Sequence, residues 1–343
     1  MIFARMNRCR GGLNLGKMAN CRDVFFQILQ YNNVEVTMNC VNTILKMDCQ
    51  ERIGIVIIDN NSSDGAGELL VNRMQEECQM TISEKQENDT SKYKFEHRDG
   101  CCIEIICRNV NDGFSKGNNY GYRYIVEQYS LNYLIVANSD IEFMQTNFIE
   151  LLENEYEKSA FDILGPDIWA PLKAVHQNPL SFSIPTLFEV NRTIFLNQIS
   201  LLLFPMVYPL LRRKVGVSKV DSKRIEERRE DICLQGSCLI YSKKYIDVRK
   251  RISLSDENNT QIGYTLFYPE TSFYYEEFLQ TLWCRKYNCK MIYTPNIHVV
   301  HMEGQSTSTI SKDEKKRIKF RMDNILNSAK IYREQLREYR NKC

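Results

Sequence analysis

The sequence is poor in the features that mark zinc-binding, nucleic-acid-binding and exported proteins. It has no Cys-x-x-Cys pair, and the spacings Cys233 to Cys238 and Cys284 to Cys289 lack histidines at the intervals of a zinc site. Its 343 residues carry a formal net charge of only +2, which argues against bulk electrostatic capture of nucleic acid. Residues 1–22 include arginines but no continuous apolar stretch, so they do not predict a signal peptide.

The cysteines that are present do not form the pattern of a secreted disulfide framework. They number 13, an odd count, and they are scattered along the chain with Cys101 and Cys102 adjacent. We therefore expect reduced thiols in a cytoplasmic protein.

The composition is that of a folded protein with a sizeable core. Hydrophobic residues make up 43% of the chain and charged residues 26%. The length fits one large α/β domain with extensions. We predict an N-terminal extension (1–22), a core domain (23–308) made of a nucleotide-binding half (23–170), a helical insertion (171–232) and an acceptor half (233–308), and a basic C-terminal helix (309–343).

Short apolar runs alternate with segments of helical spacing through the first half of the chain. Strands are predicted at 24–29, 53–58, 103–107 and 133–137, with a helix after each of the first three. Residues 79–100 show no clear period and are interpreted as a surface excursion. This alternation predicts right-handed crossovers and a mostly parallel, twisted sheet flanked by helices.

Polar clusters follow three of these strands, at 59–65, 109–121 and 138–140. The carboxyl ends of parallel strands meet at one edge of a sheet, where open α/β folds bind ligands. The sequence therefore predicts a nucleotide site at this edge.

The insertion 171–232 has a strongly apolar centre at 194–211. Two prolines, Pro205 and Pro209, interrupt this 18-residue run, which makes it a poor membrane span. A basic triplet, Arg212-Arg213-Lys214, follows it directly. An in-plane membrane contact and a helical hairpin that packs in the core or forms a homodimer are the two interpretations that remain open.

The segment after Ser311 has helical spacing with two unlike faces. Apolar residues at Ile318, Met322, Ile325 and Ala329 form one stripe, and lysines and arginines occupy the other face. Solvation of the basic face and contact with a membrane are both open.

Acidic residues at the strand ends are candidates for ligand contacts. Asp59 follows a buried strand, and Asp64 lies five residues further on. Their carboxylates could accept hydrogen bonds from a base N–H or a ribose hydroxyl, or the segment could be a turn that caps the next helix. Asp140 ends the Asn138-Ser139-Asp140 cluster and could hold a divalent cation together with substrate phosphates.

Several segments form a recognisable series. Tyr31-Asn32 follows the first strand, DNNSSDG (59–65) follows the second, and LQGSCLIYSKKYI (234–246) and FYYEEFLQTLWCRKYNCKMIYTPNIHVVHMEGQS (273–306) lie in the second half. The third loop fits N-x-G-F-x-x-G-N-N-x-G through Asn111, Gly113, Phe114, Gly117, Asn118, Asn119 and Gly121. Over roughly 24–170 and 233–308 the chain resembles the family 2 glycosyltransferases, inverting enzymes of GT-A fold, especially the bacterial rhamnosyltransferase-like branch.

The resemblance implies a nucleotide-sugar site, a metal site and a catalytic base. The implied donor contacts are Tyr31, Asn32, Asp59, Asn61, Asp64, Gly113, Lys116, Asn119 and Asn138. Asp140 and His301 are the implied ligands of Mg²⁺ or Mn²⁺, although His301 could equally be a structural histidine.

Glu277 occupies the place of the family's catalytic base, with Glu276 beside it. Such a carboxylate takes the proton from the attacking acceptor hydroxyl. Two ordinary surface glutamates at a helix N-terminus are the alternative. The chain departs from the family pattern in having glutamate rather than aspartate at 277 and Leu279 in place of a second acid.

The function expected from this resemblance is that of an inverting hexosyltransferase in bacterial cell-surface polysaccharide synthesis. The expected partners are a dTDP- or UDP-linked sugar and a glycan or lipid-linked acceptor, with the protein cytoplasmic or peripheral on the inner face of the plasma membrane and not bound to nucleic acid. An inactive nucleotide-sugar-binding protein of the same fold is the alternative, and a nucleotidyltransferase is a more distant one.

Overall fold

A computed structural model describes residues 22–63, 65–78, 81–87, 90–214, 223–255, 264–303 and 314–342. The predicted N-terminal extension therefore lies outside the described residues except for Arg22. The strands are β1 (Val24–Gln30), β2 (Ile53–Asp59), β3 (Thr81–Glu87), β4 (Thr90–Glu96), β5 (Cys102–Cys107), β6 (Tyr133–Asn138), β7 (Ile141–Phe143), β8 (Ile163–Ala170), β9 (Val175–His176), β10 (Arg229–Glu230), β11 (Cys238–Ser242) and β12 (Met291–His301). The helices are α1 (Val34–Ile44), α2 (Ala66–Cys78), α3 (Phe114–Gln128), α4 (Phe148–Ser159), α5 (Leu187–Leu202), α6 (Phe204–Lys214), α7 (Lys243–Ser255), α8 (Glu276–Lys286) and α9 (Glu314–Lys342).

The strands form one mixed sheet in the order β10-β12-β8-β11-β6-β1-β2-β5-β4-β3, with β7 beside β12 and β9 beside β8. The central strands β6, β1, β2 and β5 are parallel, as are β8 and β12. Strand β11 runs antiparallel between β6 and β8 and so joins the two halves of the chain into one sheet. The predicted α/β fold class, a mostly parallel sheet flanked by helices with a helical insertion and a C-terminal helix, is confirmed.

Helices cover both faces of the sheet because the central strands are apolar on both sides. On β1, Val24, Phe26 and Ile28 contact the core formed with α1, α2 and α4. Phe25 faces the opposite core, which includes Tyr122 of α3 and residues of α7 and α8. This double burial explains why these strands appear in the sequence as continuous apolar runs rather than alternating ones.

The interpretation of residues 79–100 as an irregular surface excursion was wrong. Strands β3 and β4 form an antiparallel hairpin that extends the sheet beyond β5. In β4, Phe95 is fully buried and Tyr93 packs against the same core, while lysines alternate with them. That period of two was present in the sequence, but the many charged residues of this edge hairpin concealed it.

The predicted helical insertion contains α5 and α6, which pack on the C-terminal helix. Val190 and Ile194 of α5 contact Ala329 and Tyr332 of α9, together with Leu279 and Leu282 of α8. Within the described residues no single helix is long and apolar enough to cross a membrane. The bent pair α5 and α6 passes that test only when the two helices are taken together, at 109° to each other.

The cysteines differ in part from the expectation of reduced thiols. Those at 40, 78, 101, 102, 107, 233, 238, 284 and 289 are free, and most of them are buried in the core. Cys49 is disulfide-bonded, so the expectation fails at that position.

Candidate active site

The polar loops meet at the carboxyl edge of the parallel strands, as predicted. In the sheet register Gln30 lies beside Asp59, and Leu29 lies beside Asn138. Asp59 and Asn138 therefore flank the end of β1, with Cα atoms about 10 Å apart at ordinary strand spacing. The predicted donor contacts from β1, β2 and β6 share one edge of the sheet.

Asp59 is buried at the end of β2 and is held by Ser62. The Ser62 backbone N–H donates to Oδ2 at 3.2 Å, and the Ser62 hydroxyl donates to Oδ1 at 2.5 Å. Burial raises the pKa of Asp59, and the hydrogen bonds from Ser62 oppose that rise. Each carboxylate oxygen keeps a second lone pair with which it could accept a hydrogen bond from a ligand.

Asn32 connects the loop after β1 to the loop after β2. Its backbone N–H donates to the Ser62 hydroxyl at 2.8 Å, and its side-chain oxygen accepts from the Ser63 N–H at 2.7 Å. Asn32 has a φ of +61°, a left-handed conformation that asparagine tolerates better than most residues. The two loops are thus held together before any ligand binds.

The loop after β5 is fixed to the same loops through Asn60. The Asn60 side chain donates to the Asn111 side chain at 3.0 Å and to the Gly113 carbonyl at 3.2 Å, and it accepts from Arg108 at 2.8 Å. Gly113 has a φ of +87°, and a Cβ there would lie 2.9 Å from the carbonyl oxygen of Ser272. Only glycine permits this approach.

The structure places Asn119 differently from its predicted role at the nucleotide. Its side-chain nitrogen donates to the Phe267 carbonyl at 2.9 Å and to Glu270 at 3.0 Å, and its oxygen accepts from the N–H groups of Leu266 and Phe267. These bonds use the hydrogen-bonding capacity of the amide, so Asn119 holds the segment that leads to α8 rather than facing a ligand.

We expect Asn119→Ala to lower the free energy of unfolding by about 2–4 kcal/mol, because it leaves buried backbone groups of residues 266 and 267 without partners. Urea denaturation measures this loss. Asn191→Ala, at an exposed position of α5, is the matched control, with an expected loss of less than about 0.5 kcal/mol. Equal stability of the two variants would contradict the structural role of Asn119.

The remaining predicted donor residues lie around the same loops. Tyr31 is half-buried after β1, Asn61 is exposed at a φ of +58°, and Lys116 is exposed on the first turn of α3. Asp64 lies outside the described residues. Their predicted contacts with a donor stay predictions.

Asp140 and His301, the predicted metal ligands, are brought together. The two side chains are nearly buried, and His301 Nε2 lies 3.2 Å from Asp140 Oδ1. Within the parts of the chain that the structure describes, no group of three or more His, Cys, Asp or Glu side chains could hold a metal ion. Protein ligands beyond this pair are therefore not evident.

The surroundings of His301 indicate which ring nitrogen carries a proton. Gln177 donates its N–H to Glu303 at 2.5 Å, so its side-chain oxygen faces His301 Nδ1 at 2.7 Å. Nδ1 must therefore be the protonated nitrogen, and in a neutral ring Nε2 presents a lone pair to the Asp140 carboxylate. Two acceptors at this distance repel each other unless a cation or a proton lies between them. A proton on Nε2 would make the two side chains an ion pair; a carboxylate oxygen and an imidazole nitrogen are also atom types that bind divalent cations, whose other ligands would then come from phosphate and water.

Glu276 and Glu277 are not ordinary surface glutamates. Glu276 is buried, and its desolvation, followed by the charge of Glu277, raises its pKa to about 8. Burial also raises the pKa of Glu277, opposed by hydrogen bonds from its own N–H and that of Gly236. The Glu277 side chain is half-buried, so it is open to an acceptor on one side.

A short path of contacts joins Glu277 to the donor edge of the sheet. A Cβ on Gly236 would lie 3.0 Å from Glu277 Oε1, so the carboxylate sits directly against this glycine. The next residue, Ser237, accepts a hydrogen bond from the Asn138 N–H at 2.8 Å through its carbonyl. The carboxylate pair and the Asn138-Ser139-Asp140 cluster therefore occupy the same part of the molecule.

Two tyrosines before α8 have an unusual backbone. Tyr274 and Tyr275 have φ values of +70° and +71°, a conformation that costs energy for residues with bulky side chains. The Ser328 hydroxyl on α9 donates to the Phe273 carbonyl at 2.7 Å and helps to hold this turn. The strained turn sets the direction in which α8 presents its first two residues.

Leu279 packs in the apolar core beside α8. It is buried in the apolar cluster between α8, α5 and α9, where an acidic side chain would be desolvated. Leucine at this position is therefore explained by packing, although the sequence pattern drew attention to it as a departure from the family.

Sequence reasoning missed Gln177 and Gly236. Both lie in or next to irregular segments, and each acts through contact with a residue more than 40 positions away along the chain. Gly236 was available as a glycine just before a strand, but nothing in the local pattern marks Gln177.

A cavity of ≈ 700 Å³ lies at the opposite edge of the sheet, beside Tyr133, Lys243 and Lys244. Tyr133 begins β6, whereas Asn138 ends it, so this cavity is remote from the polar loops. Both lysines already form ion pairs, Lys243 with Asp247 and Lys244 with Asp162. We therefore assign it no part in the site.

Comparison with known proteins gives likeness at the level of structure alone. No protein-family model and no curated protein matches the chain. A crystal structure of S. aureus TarS 1-349 is similar with a TM-score of 0.43 and 12% identity, covering 90% of this chain and 70% of that one. The same protein in complex with UDP gives a TM-score of 0.43 and 13% identity, covering 89% and 69%. Likeness at this level carries no argument about what this chain binds or does.

Proposed function

We propose that the protein is an inverting glycosyltransferase that moves a sugar from a nucleotide-diphosphate donor to an acceptor hydroxyl. The observation that carries the proposal is the contact path from the adjacent carboxylates of Glu276, which is buried, and Glu277, which is half-buried, through Gly236 and Ser237 to Asn138. The path supports the proposal because it joins a carboxylate of raised pKa to the sheet edge where three hydrogen-bonded loops meet.

In this proposal Glu277 is the general base. It accepts the proton of the acceptor hydroxyl while the acceptor oxygen forms a bond to the anomeric carbon and the bond from that carbon to the donor diphosphate breaks. A raised pKa makes Glu277 a stronger base, and efficiency is greatest when the pKa approaches the working pH. Glu276, which holds a proton more readily than a solvated glutamate, limits the negative charge of the pair.

The loops after β1, β2 and β5 are the proposed donor site. The Asp59 carboxylate accepts hydrogen bonds from the base or ribose, and the loops arrive already ordered through Asn32 and Asn60. Preorganisation of this kind reduces the ordering cost of binding. Lys116, exposed at the start of α3, supplies positive charge toward the diphosphate.

Asp140 and His301 are the proposed ligands of Mg²⁺ or Mn²⁺, with Gln177 orienting the histidine. Such a cation, when bound, neutralises the charge of the donor diphosphate. The dTDP or UDP donor, the lipid-linked or glycan acceptor, the rhamnosyltransferase-like branch and the role in bacterial surface polysaccharide synthesis rest on the sequence motifs alone.

The donor site is tested by thermal unfolding with nucleoside diphosphates and nucleotide sugars, with and without Mn²⁺. A ligand at a hundred times its dissociation constant stabilises the native state by about 2.7 kcal/mol. We expect this stabilisation to depend on Mn²⁺ and to lose that dependence in Asp140→Ala. The control is Asp48→Ala, which alters an exposed aspartate away from the sheet edge.

Metal-dependent stabilisation that is equal in wild type and Asp140→Ala would remove Asp140 from the metal site. Binding of a donor without turnover by any acceptor preparation would favour the alternative of an inactive nucleotide-sugar-binding protein. The carboxylate pair with raised pKa values is the observation against that alternative, since a protein that only binds donor has no need of it.

A further inference from the structure

Helix α5 has two apolar faces, and only one of them is covered. Val190 and Ile194 lie on the face that packs on α9. Phe188, Phe195, Ile199 and Leu202, spaced by seven, four and three residues, form a stripe on the opposite side of the helix. These side chains are exposed, Phe188 by 77% and Leu202 by 80%. An amphipathic helix needs only one apolar face to join its own core, so the second requires another explanation.

Helix α6 continues the exposed apolar surface in a new direction. Met206 is 77% exposed and Leu210 is 62% exposed, while Phe204 is buried against Ile318 and Met322 of α9. The two helix axes meet at 109°, and each helix is too short to cross a bilayer alone. A bent pair with exposed apolar side chains on both arms suits a position in the plane of an interface.

Basic side chains border this surface. Arg192 is exposed on α5 close to the apolar stripe, and Arg212 is exposed near the end of α6, where it pairs with Glu314 at 2.9 Å. The first turns of α9 add the exposed Lys316 and Lys319 beside α6. Glu189 is the single acidic residue of α5, and it forms the N-terminal capping box with Thr186.

We propose that α5 and α6 form a docking surface for a bilayer that contains anionic lipid. The apolar stripe lies in the boundary between headgroups and acyl chains, and the basic side chains lie at the level of the phosphates. A second copy of the chain suits this surface less well, because a two-fold contact would bring like-charged borders together. The inference does not depend on the chemistry assigned to the sheet edge.

The test is flotation of the full-length chain with vesicles of phosphatidylcholine alone or of phosphatidylcholine with phosphatidylglycerol. We expect binding to the anionic vesicles, weak binding to the neutral ones, and weaker anionic binding as salt is raised. The double variant Phe195→Glu/Leu202→Glu is expected to lose at least about tenfold in partitioning, because it places charges on the inserted stripe. Leu69→Glu, at an exposed leucine of α2, is the matched control and should bind as the wild type does.

Far-UV circular dichroism and the thermal midpoint show whether the variants are folded, as expected from the exposure of both substituted side chains. Light scattering measures their oligomeric state. Failure of the wild type to bind anionic vesicles would overturn the proposal. So would a double variant that turns a dimer into a monomer while vesicle binding stays unchanged, since the stripe would then be an interface between copies.

Discussion

Glu277→Gln should lower the rate of sugar transfer by two to four orders of magnitude while changing the donor dissociation constant by less than about threefold. Glutamine keeps the size of the side chain and an oxygen that can accept from the Gly236 N–H, but it cannot take a proton from the acceptor hydroxyl. The loss therefore falls on the chemical step and not on binding. Release of nucleoside diphosphate measures the rate, and calorimetry measures donor binding.

Glu68→Gln provides the matched control. Glu68 is exposed in the first turn of α2, so this substitution makes the same chemical change at another helix N-terminus. It should retain wild-type activity. If Glu277→Gln kept more than about a tenth of the activity, Glu277 would not be the base, since a positioned base contributes at least about a hundredfold.

The pH dependence of the wild-type rate is a further test of Glu277 as the general base. A general base acts in its deprotonated form, so activity falls as the pH drops through its pKa. Because burial raises the pKa of Glu277 above the ordinary glutamate value, the fall should begin at a higher pH than a solvated glutamate would give. A rate that stays constant down to the ordinary range would contradict burial as the source of the base strength.

The polar residues at the sheet edge could be predicted from the sequence because each one is marked by the strand that it ends. A buried parallel strand is a continuous apolar run, and the residue that ends it is visible as the first polar one, as at Asp59 and Asn138. The carboxyl ends of such strands meet at one edge whatever the details of packing. Hence Asp59, Asn138 and Asp140 could be placed together from the sequence.

Other parts of the site depend on contacts between distant segments, which no local pattern specifies. Asn119 fits a nucleotide-loop motif, yet its amide is used by residues 266–270, almost 150 positions along the chain. Gln177 lies in an irregular segment and becomes relevant only when β12 brings His301 beside it. The burial of Glu276 likewise depends on how the segment before α8 folds onto α3.

The carboxylate pair connects function to stability. Keeping two glutamates close together and away from water opposes folding whenever both are charged. The fold supports them with local interactions, including the Thr271 side chain beside Glu276 and the helix N-terminus at which both residues lie. A site that gains base strength from burial is therefore expected to limit the stability of the protein, as is common where catalytic groups are desolvated.

Glu276→Gln should consequently stabilise the protein, and more so at alkaline pH. The pKa of Glu276 is about 8 in the folded chain, against an ordinary value of 4.5, so the folded state holds the proton more tightly than the unfolded state does. The contribution of Glu276 to the free energy of unfolding is therefore fully present below pH 4.5, and it is lost as the pH rises toward about 8. Glutamine removes that dependence because it stays neutral, and at about 1.4 kcal/mol per pKa unit the rise from 4.5 to about 8 corresponds to a gain on the order of 5 kcal/mol at pH 8.5.

Urea denaturation at pH 5 and pH 8.5 measures this difference between Glu276→Gln and wild type. The gain should be small at the lower pH, where Glu276 is already protonated in the folded state, and large at the higher one. Glu68→Gln, whose side chain is exposed, should show no such dependence on pH. If Glu276→Gln differed from wild type equally at both pH values, Glu276 would titrate as a solvated glutamate does. The start of α8 would then not be a site that desolvates its carboxylates and raises their pKa values.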